Sequence, residues 1–168
     1  MLFEITVPQF IKTLHNLSLI MDKATVFSAN KKFEMEVLLN SRLAPDQFNF
    51  IRQVQIACDT AKLGAARLAE KEAPKNEDTE KTLPELKARI ESTIGYLNSL
   101  KPEDFSGAEA RHITQPRWEG KYLTGFEFAV QHVLPNIYFH VTTAYAILRH
   151  NGVDIGKKDY LGELPYKK

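Results

Sequence analysis

Residues 134–150 read LPNIYFHVTTAYAILRH. Ile137, His140, Ala144 and Ile147 recur at steps of three and four, the spacing that lines one face of an α-helix with apolar groups. Two residues disturb the pattern. Pro135 removes a backbone donor and obstructs the carbonyl of Gln131, and His140 places an imidazole on the apolar stripe. Upstream the stripe takes in Phe126, Val130 and Val133, while Thr124 and Glu127 have the spacing of a capping box. A helix is therefore expected from about Thr124 to the Asn151–Gly152 stop, kinked at Pro135 or starting later than its stripe suggests.

The same rhythm occurs three more times. Phe10, Leu14, Leu17, Met21 and Ala24, widened by Ile11 and Ile20, predict a first helix that opens with Pro8 in its first turn and Thr6 as its cap, and runs to about Phe27. After a connector containing LLNSRLAPD, the positions Ile51, Val54, Cys58, Ala61, Ala65 and Leu68 predict a second helix ending near Lys71. The segment EAPKNEDTEK is charged and aperiodic, and reads as a solvated loop. A third helix follows with Leu86, Ile90, Ile94 and Leu97 on its stripe. It opens at TLPE, where Thr82 and Glu85 form a capping-box pair and Pro84 sits in the first turn. Between Lys101 and Gly125 the rhythm fails. There HITQPRWEGKYLTG holds two short β-prone runs around a Glu119–Gly120 turn signal, which predicts a short hairpin or an ordered loop. Four helices with one apolar stripe each bury themselves most simply as an all-α four-helix bundle, here one domain spanning residues 1–168.

Composition agrees with that architecture and excludes several function classes. A chain of 168 residues with 43% hydrophobic content can furnish one sizeable core. Its 22 Lys and Arg nearly cancel 21 Asp and Glu, so no overall field favours nucleic acid or an anionic membrane, and neither is expected as a partner. Glu4, Lys12, His15, Asp22 and Lys23 interrupt the apolar N-terminal stretch on a helical period, which marks an amphipathic helix and not a signal peptide. Cys58, the single cysteine, fits a reducing compartment, and a cytoplasmic location is expected. No glycine-rich phosphate loop, zinc-finger pattern or cysteine–histidine catalytic spacing is present. The first helix carries Leu17, Leu19, Ile20 and Met21, more apolar surface than one narrow stripe needs, so a homodimer is expected to cover part of it, with the LLNSRLAPDQF connector as the alternative cover.

RQVQIACDTAK, NIYFHVTTAYAILRHNGVDIGK and LLNSRLAPDQF resemble an uncharacterised bacterial and fungal family, a domain of unknown function within the DinB/YfiT-like superfamily. The resemblance implies an up-down-down-up four-helix bundle, often dimeric. In many superfamily members a divalent metal is held by three histidines, one from the second helix and two, four residues apart, from the fourth; some are thiol-dependent transferases. Through the pattern LR-x-x-G-V at Leu148–Val153, one ligand position falls on His140. The position four residues earlier is Asn136, and the second-helix position falls near Gln55 or Asp59. Amide oxygens are poor ligands for Zn, Ni or Fe, so the resemblance implies a degenerate site in which His140 and Asp59 are the remaining metal candidates.

Three readings of His140 follow: a structural group hydrogen-bonded within the bundle, a ligand of a divalent metal (Zn, Ni or Fe), or part of a small-ligand pocket. As a structural group, His140 together with Asn136 would answer the carbonyl freed by Pro135, with Asp59 or Gln55 completing a network. His132 and His140 lie about 12 Å apart along a straight helix, too far to share one ion. Trp118 and Tyr122 flank the expected turn and either cover one end of the bundle or line a pocket mouth. The functional expectation is a weak small-ligand-binding or non-catalytic bundle. The alternative is a metal-dependent thiol transferase or hydrolase built around His140, with Asp59 and water completing its coordination sphere.

Overall fold

In the computed structural model residues 1–167 are described, and Lys168, the last residue of the expected domain, lies outside them. The chain is mostly helical. Its long elements are α1 (Leu2–Lys31), α3 (Phe50–Ala69), α4 (Leu83–Ser99) and α6 (Leu134–His150), with short helices α2 (Met35–Leu39), α5 (Gly125–Glu127) and α7 (Lys157–Leu161) between or after them. α3 lies against α4 and α6, and α1 packs on the same two. The core they enclose is contiguous, running from Leu2 and Phe10 through Phe50, Leu68 and Ile90 to Ile137 and Leu148. Small residues set the spacing on α3. Ala57, Ala61, Gly64 and Ala65 are buried, and a Cβ on Gly64 would overlap the side chain of Val133. The missing side chain of Gly64 leaves the room that Val133 fills.

α1 begins earlier and ends later than its stripe predicts. Pro8 lies inside the helix and Thr6 does not cap it; the Thr6 hydroxyl donates to the Leu2 carbonyl at 2.6 Å. Leu2 and Val7 are fully buried, so core contacts carry the helix back past the proline, at the loss of one hydrogen bond to the Glu4 carbonyl. At the other end, α1 runs on to Lys31 and stops where Lys32 turns left-handed. The LLNSRLAPD connector begins within α2, whose Leu38 and Leu39 join the core, a packing role the connector's lack of periodicity hides. The side chain of Asn49 accepts from Arg52 N at 3.1 Å and caps α3. Both expected capping boxes form, Thr82 with Glu85 and Thr124 with Glu127.

The rhythm-free segment contains the hairpin: β1 (His112–Thr114) pairs antiparallel with β2 (Tyr122–Thr124), in the register Ile113 opposite Leu123. Pro116 sits in the 3₁₀ turn between them, where its missing N–H removes no ladder bond, and Glu119 and Gly120 both take positive φ to reverse the chain. Behind the hairpin, α5 passes into a π-helical turn, Phe128–Val133, that leads directly into α6. The π turn sits just before Pro135 and accommodates the proline where a kink was expected. It also changes the register. Phe128, five residues before Val133, is buried with Ala129, whereas Phe126 on the expected stripe is 47% exposed. Among the described residues no helix is long and apolar enough to cross a membrane.

Candidate functional site

His132 in the π turn and Asn136 and His140 on α6 lie four residues apart along the side that borders α3, and each meets a different partner. Gln53 Nε2 donates to the Phe48 carbonyl at 3.1 Å, which turns its Oε1 toward His140 Nδ1, 2.7 Å away. An amide oxygen only accepts, so His140 carries its proton on Nδ1 and leaves Nε2 unprotonated. Burial, and secondarily the charge of Arg52, holds the His140 pKa below the ordinary histidine value. Asn136 Nδ2 donates to Thr60 Oγ1 at 3.0 Å. The helix-α3 partners are therefore Gln53 and Thr60, in place of the expected Asp59 and Gln55, and neither His140 nor Asn136 is bonded to the carbonyl that Pro135 frees.

Asp59 and Gln55 turn the other way, toward α4 and the segment at residues 72–81. Arg89, whose side chain is 1% exposed, donates to Asp59 at 2.8 Å and to Glu80 at 3.0 Å, and pairs with Asp78 at 2.9 Å. Lys62, 3% exposed, pairs with Asp59 at 3.2 Å and bonds Asn76. Gln55 Nε2 donates to Glu80 at 2.9 Å, and Arg52 reaches Asp78. Burial opposes the charge on Arg89, but its bonds to Glu80 and the field of Asp59 outweigh it and leave the pKa raised. The segment expected as a solvated loop therefore supplies two counter-ions, Asp78 and Glu80, to the buried Arg89 and a neutral amide, Asn76, to the buried Lys62. Its charges are interior partners, a role that the absence of periodicity does not reveal.

Between α3, the π turn and the hairpin lies a cleft of about 360 Å³ lined by Asp59, Thr60, Gly64, Arg67, Gln115, Arg117, His132 and Asn136 among others. A second cleft of about 580 Å³ adjoins it, shares Ile56, Arg117, His132 and Asn136, and includes His140, Phe48 and Phe139. Asp59 thus borders the first cleft and His140 the second, with Asn136 on both. Arg117 Nη2 lies 3.1 Å from His132 Nε2. A guanidinium only donates, so Nε2 accepts and the His132 proton sits on Nδ1, which is buried without a partner. Burial first, then the charges of Arg117 and Arg67, push the His132 pKa down. Burial and the neighbouring Arg117 do the same to Arg67. Trp118 packs edge-on against Phe128 and His132, with centroids 6.1 and 5.5 Å away, and lines neither cleft itself. Tyr122 stacks on His112 at 3.9 Å on the exposed hairpin and lines neither cleft.

The donor set does not fit a divalent metal. His140 has the tautomer of a metal-bound histidine, but Asn136 is an amide held by Thr60 and Asp59 is engaged by two cations. Among the described residues no group of three or more His, Cys, Asp or Glu side chains is arranged to hold an ion. Cys58 is fully buried and its thiol is pushed up to about 12, chiefly by burial, so it offers no thiolate nucleophile. Arg67 and Arg117 escaped sequence reading for different reasons: Arg67 sits one position off the α3 stripe, and Arg117 lies in the hairpin turn, where no periodicity marks a face.

Residues 2–161 match the family model described as Domain of unknown function (DUF1993). No curated protein matches the chain. Among solved structures, a crystal structure of a DinB family member protein from Shewanella denitrificans is 61% identical, with a TM-score of 0.98 over 100% of this chain and 96% of that one. Family model and structural neighbour agree with the resemblance carried by RQVQIACDTAK and the end of α6: the chain belongs to the uncharacterised DUF1993 family of DinB-like helical proteins.

Proposed function

We propose that this protein is a small-ligand-binding DinB-like bundle without a working metal centre, whose ligand enters the cleft between α3 and the π turn. The observation that carries the reading is the cleft itself. It is concave, has an apolar wall of Ile56, Leu63 and Val133, and brings Thr60, Arg67, Arg117, His132 and Asn136 to one opening. The engagement of both Asp59 oxygens by Lys62 and Arg89, and the amide at Asn136, support binding over metal-assisted chemistry. We read the bundle as up-down-down-up, in keeping with the placement of α1 and α3 each against both α4 and α6. We also propose a cytoplasmic homodimer. Leu17, Ile20 and Met21 are buried within the chain, but Leu19 and Val26 on α1 are 51% and 60% exposed and favour a covered face.

A fragment screen by protein-observed NMR tests the binding role, with shifts expected at Thr60, Gly64 and Asn136; a screen that moves none of these resonances at millimolar concentration overturns it. Elemental analysis of untagged protein tests the rival, a metal-dependent transferase or hydrolase. Stoichiometric Zn, Ni or Fe that disappears in His140→Ala would favour that rival. Sedimentation at micromolar concentration decides the dimer, and a monomer rejects it.

A further inference from the structure

The α3 cleft contains a charge arrangement that the fold does not explain. Arg67 and Arg117 are close enough for Arg117 to depress the Arg67 pKa, and Arg117 also donates to His132, a group it helps to keep neutral. Among the described residues neither arginine is in an ion pair. Arg67 makes only a 3.4 Å bond to the Leu63 carbonyl of its own helix. Asp59 borders the same cleft, but Arg89 and Lys62 already hold its two oxygens at 2.8 and 3.2 Å. Two guanidiniums thus meet at one opening beside a neutral imidazole, without a protein counter-ion of their own. Like charges placed together, one half-buried and one exposed, repel one another, and an oxyanion between them removes that repulsion while accepting their fork of N–H groups.

Resting on the ligand-binding reading above, we propose that the cleft between α3 and the π turn binds a small organic oxyanion, a carboxylate or phosphate ester with an apolar body, clamped by Arg67 and Arg117. The apolar part lies on Ile56, Leu63 and Val133, and the volume of about 360 Å³ suits a group the size of one aromatic ring with a charged head. Thr60 and Asn136 are already bonded to each other at 3.0 Å and form the polar floor.

Three probes test this by NMR titration at constant ionic strength held with chloride: benzoate, its neutral isostere benzamide, and inorganic phosphate. Benzoate and phosphate are expected to shift Thr60, Gly64 and Asn136 while benzamide does not, and Arg117→Gln is expected to weaken benzoate binding roughly tenfold or more. Arg67→Lys, which keeps the charge but loses the planar fork, should weaken it by a smaller factor. If benzamide binds as well as benzoate and Arg117→Gln changes neither, the oxyanion assignment is wrong and the cleft remains a binding site for neutral ligands. If none of the three moves these resonances, the oxyanion assignment is rejected, while the cleft reading is decided separately by the fragment screen.

Discussion

The two flanks of α3 are built from the same residue types and reach opposite results. Toward α4, three cations, Arg52, Lys62 and Arg89, meet three carboxylates, Asp59, Asp78 and Glu80. Toward the π turn, Arg67, Arg117 and His132 meet no carboxylate of their own. A balanced buried network fixes which elements touch, because each partner left alone would be an uncompensated charge. An unbalanced cluster contributes nothing comparable to folding, so its arrangement answers to something outside the chain. The first flank is structural, and the proposed ligand site lies on the second.

Breaking the balanced flank should have the largest effect. Arg89→Met leaves Asp59 and Glu80 without their main partner, and chemical denaturation should show a loss of about 3 kcal/mol, the lower end for a broken buried pair because Asp59 is 31% exposed. Next comes the seam between the flanks. Gly64→Ala drives a methyl into Val133 and should cost about 1–3 kcal/mol, and the double variant with Val133→Ala should recover more stability than additivity allows. His140→Ala strands Gln53 and opens a void. It should cost about 1–3 kcal/mol, and His140→Gln less, since an amide keeps one donor for Gln53.

Acid provides a smaller, graded test. His132 and His140 have folded pKa values below the ordinary value of about 6.5, so below that pH the unfolded chain binds more protons than the folded one. Their contribution is fully present above about pH 6.5 and declines as pH falls from there to the folded pKa values. Urea midpoints measured between pH 7.5 and 5 should decline, and should decline less steeply in His140→Gln. The smallest effect sharpens the comparison most. Arg117→Gln is expected to change stability by no more than about 0.5 kcal/mol, because Arg117 is exposed and pairs with no carboxylate. A loss as large as that of Arg89→Met would make the unbalanced flank structural after all.

Local signals in the sequence predicted what they could. The pairs Thr82 with Glu85 and Thr124 with Glu127 form as their spacing predicts, since a capping box is decided within four residues. Thr6 and Pro8 carry an equally local start signal, and burial of Leu2 and Val7 overrides it. The site was less legible for a related reason. A helical period states which face of α3 or α6 turns inward, but not which rung meets which. His140 therefore finds Gln53 where Asp59 was expected, and Asp59 goes to Arg89 on an element whose register with α3 no motif announces. Arg117 comes from a hairpin turn that only the folded chain brings beside His132.

The π turn at Phe128–Val133 sets the rotation of everything that precedes α6. Residues 126–147 encode two registers at once: the unbroken heptad that ends in Phe126, and the shifted one that buries Phe128. A chain one residue shorter in this turn could wind as plain α-helix, rotating everything before it by about 100° and bringing a different side of the hairpin strap, Arg117 included, against α3. The wide turn thus holds one residue more than plain α-helix would, and the burial of Phe128 and Ala129 favours it over the competing register.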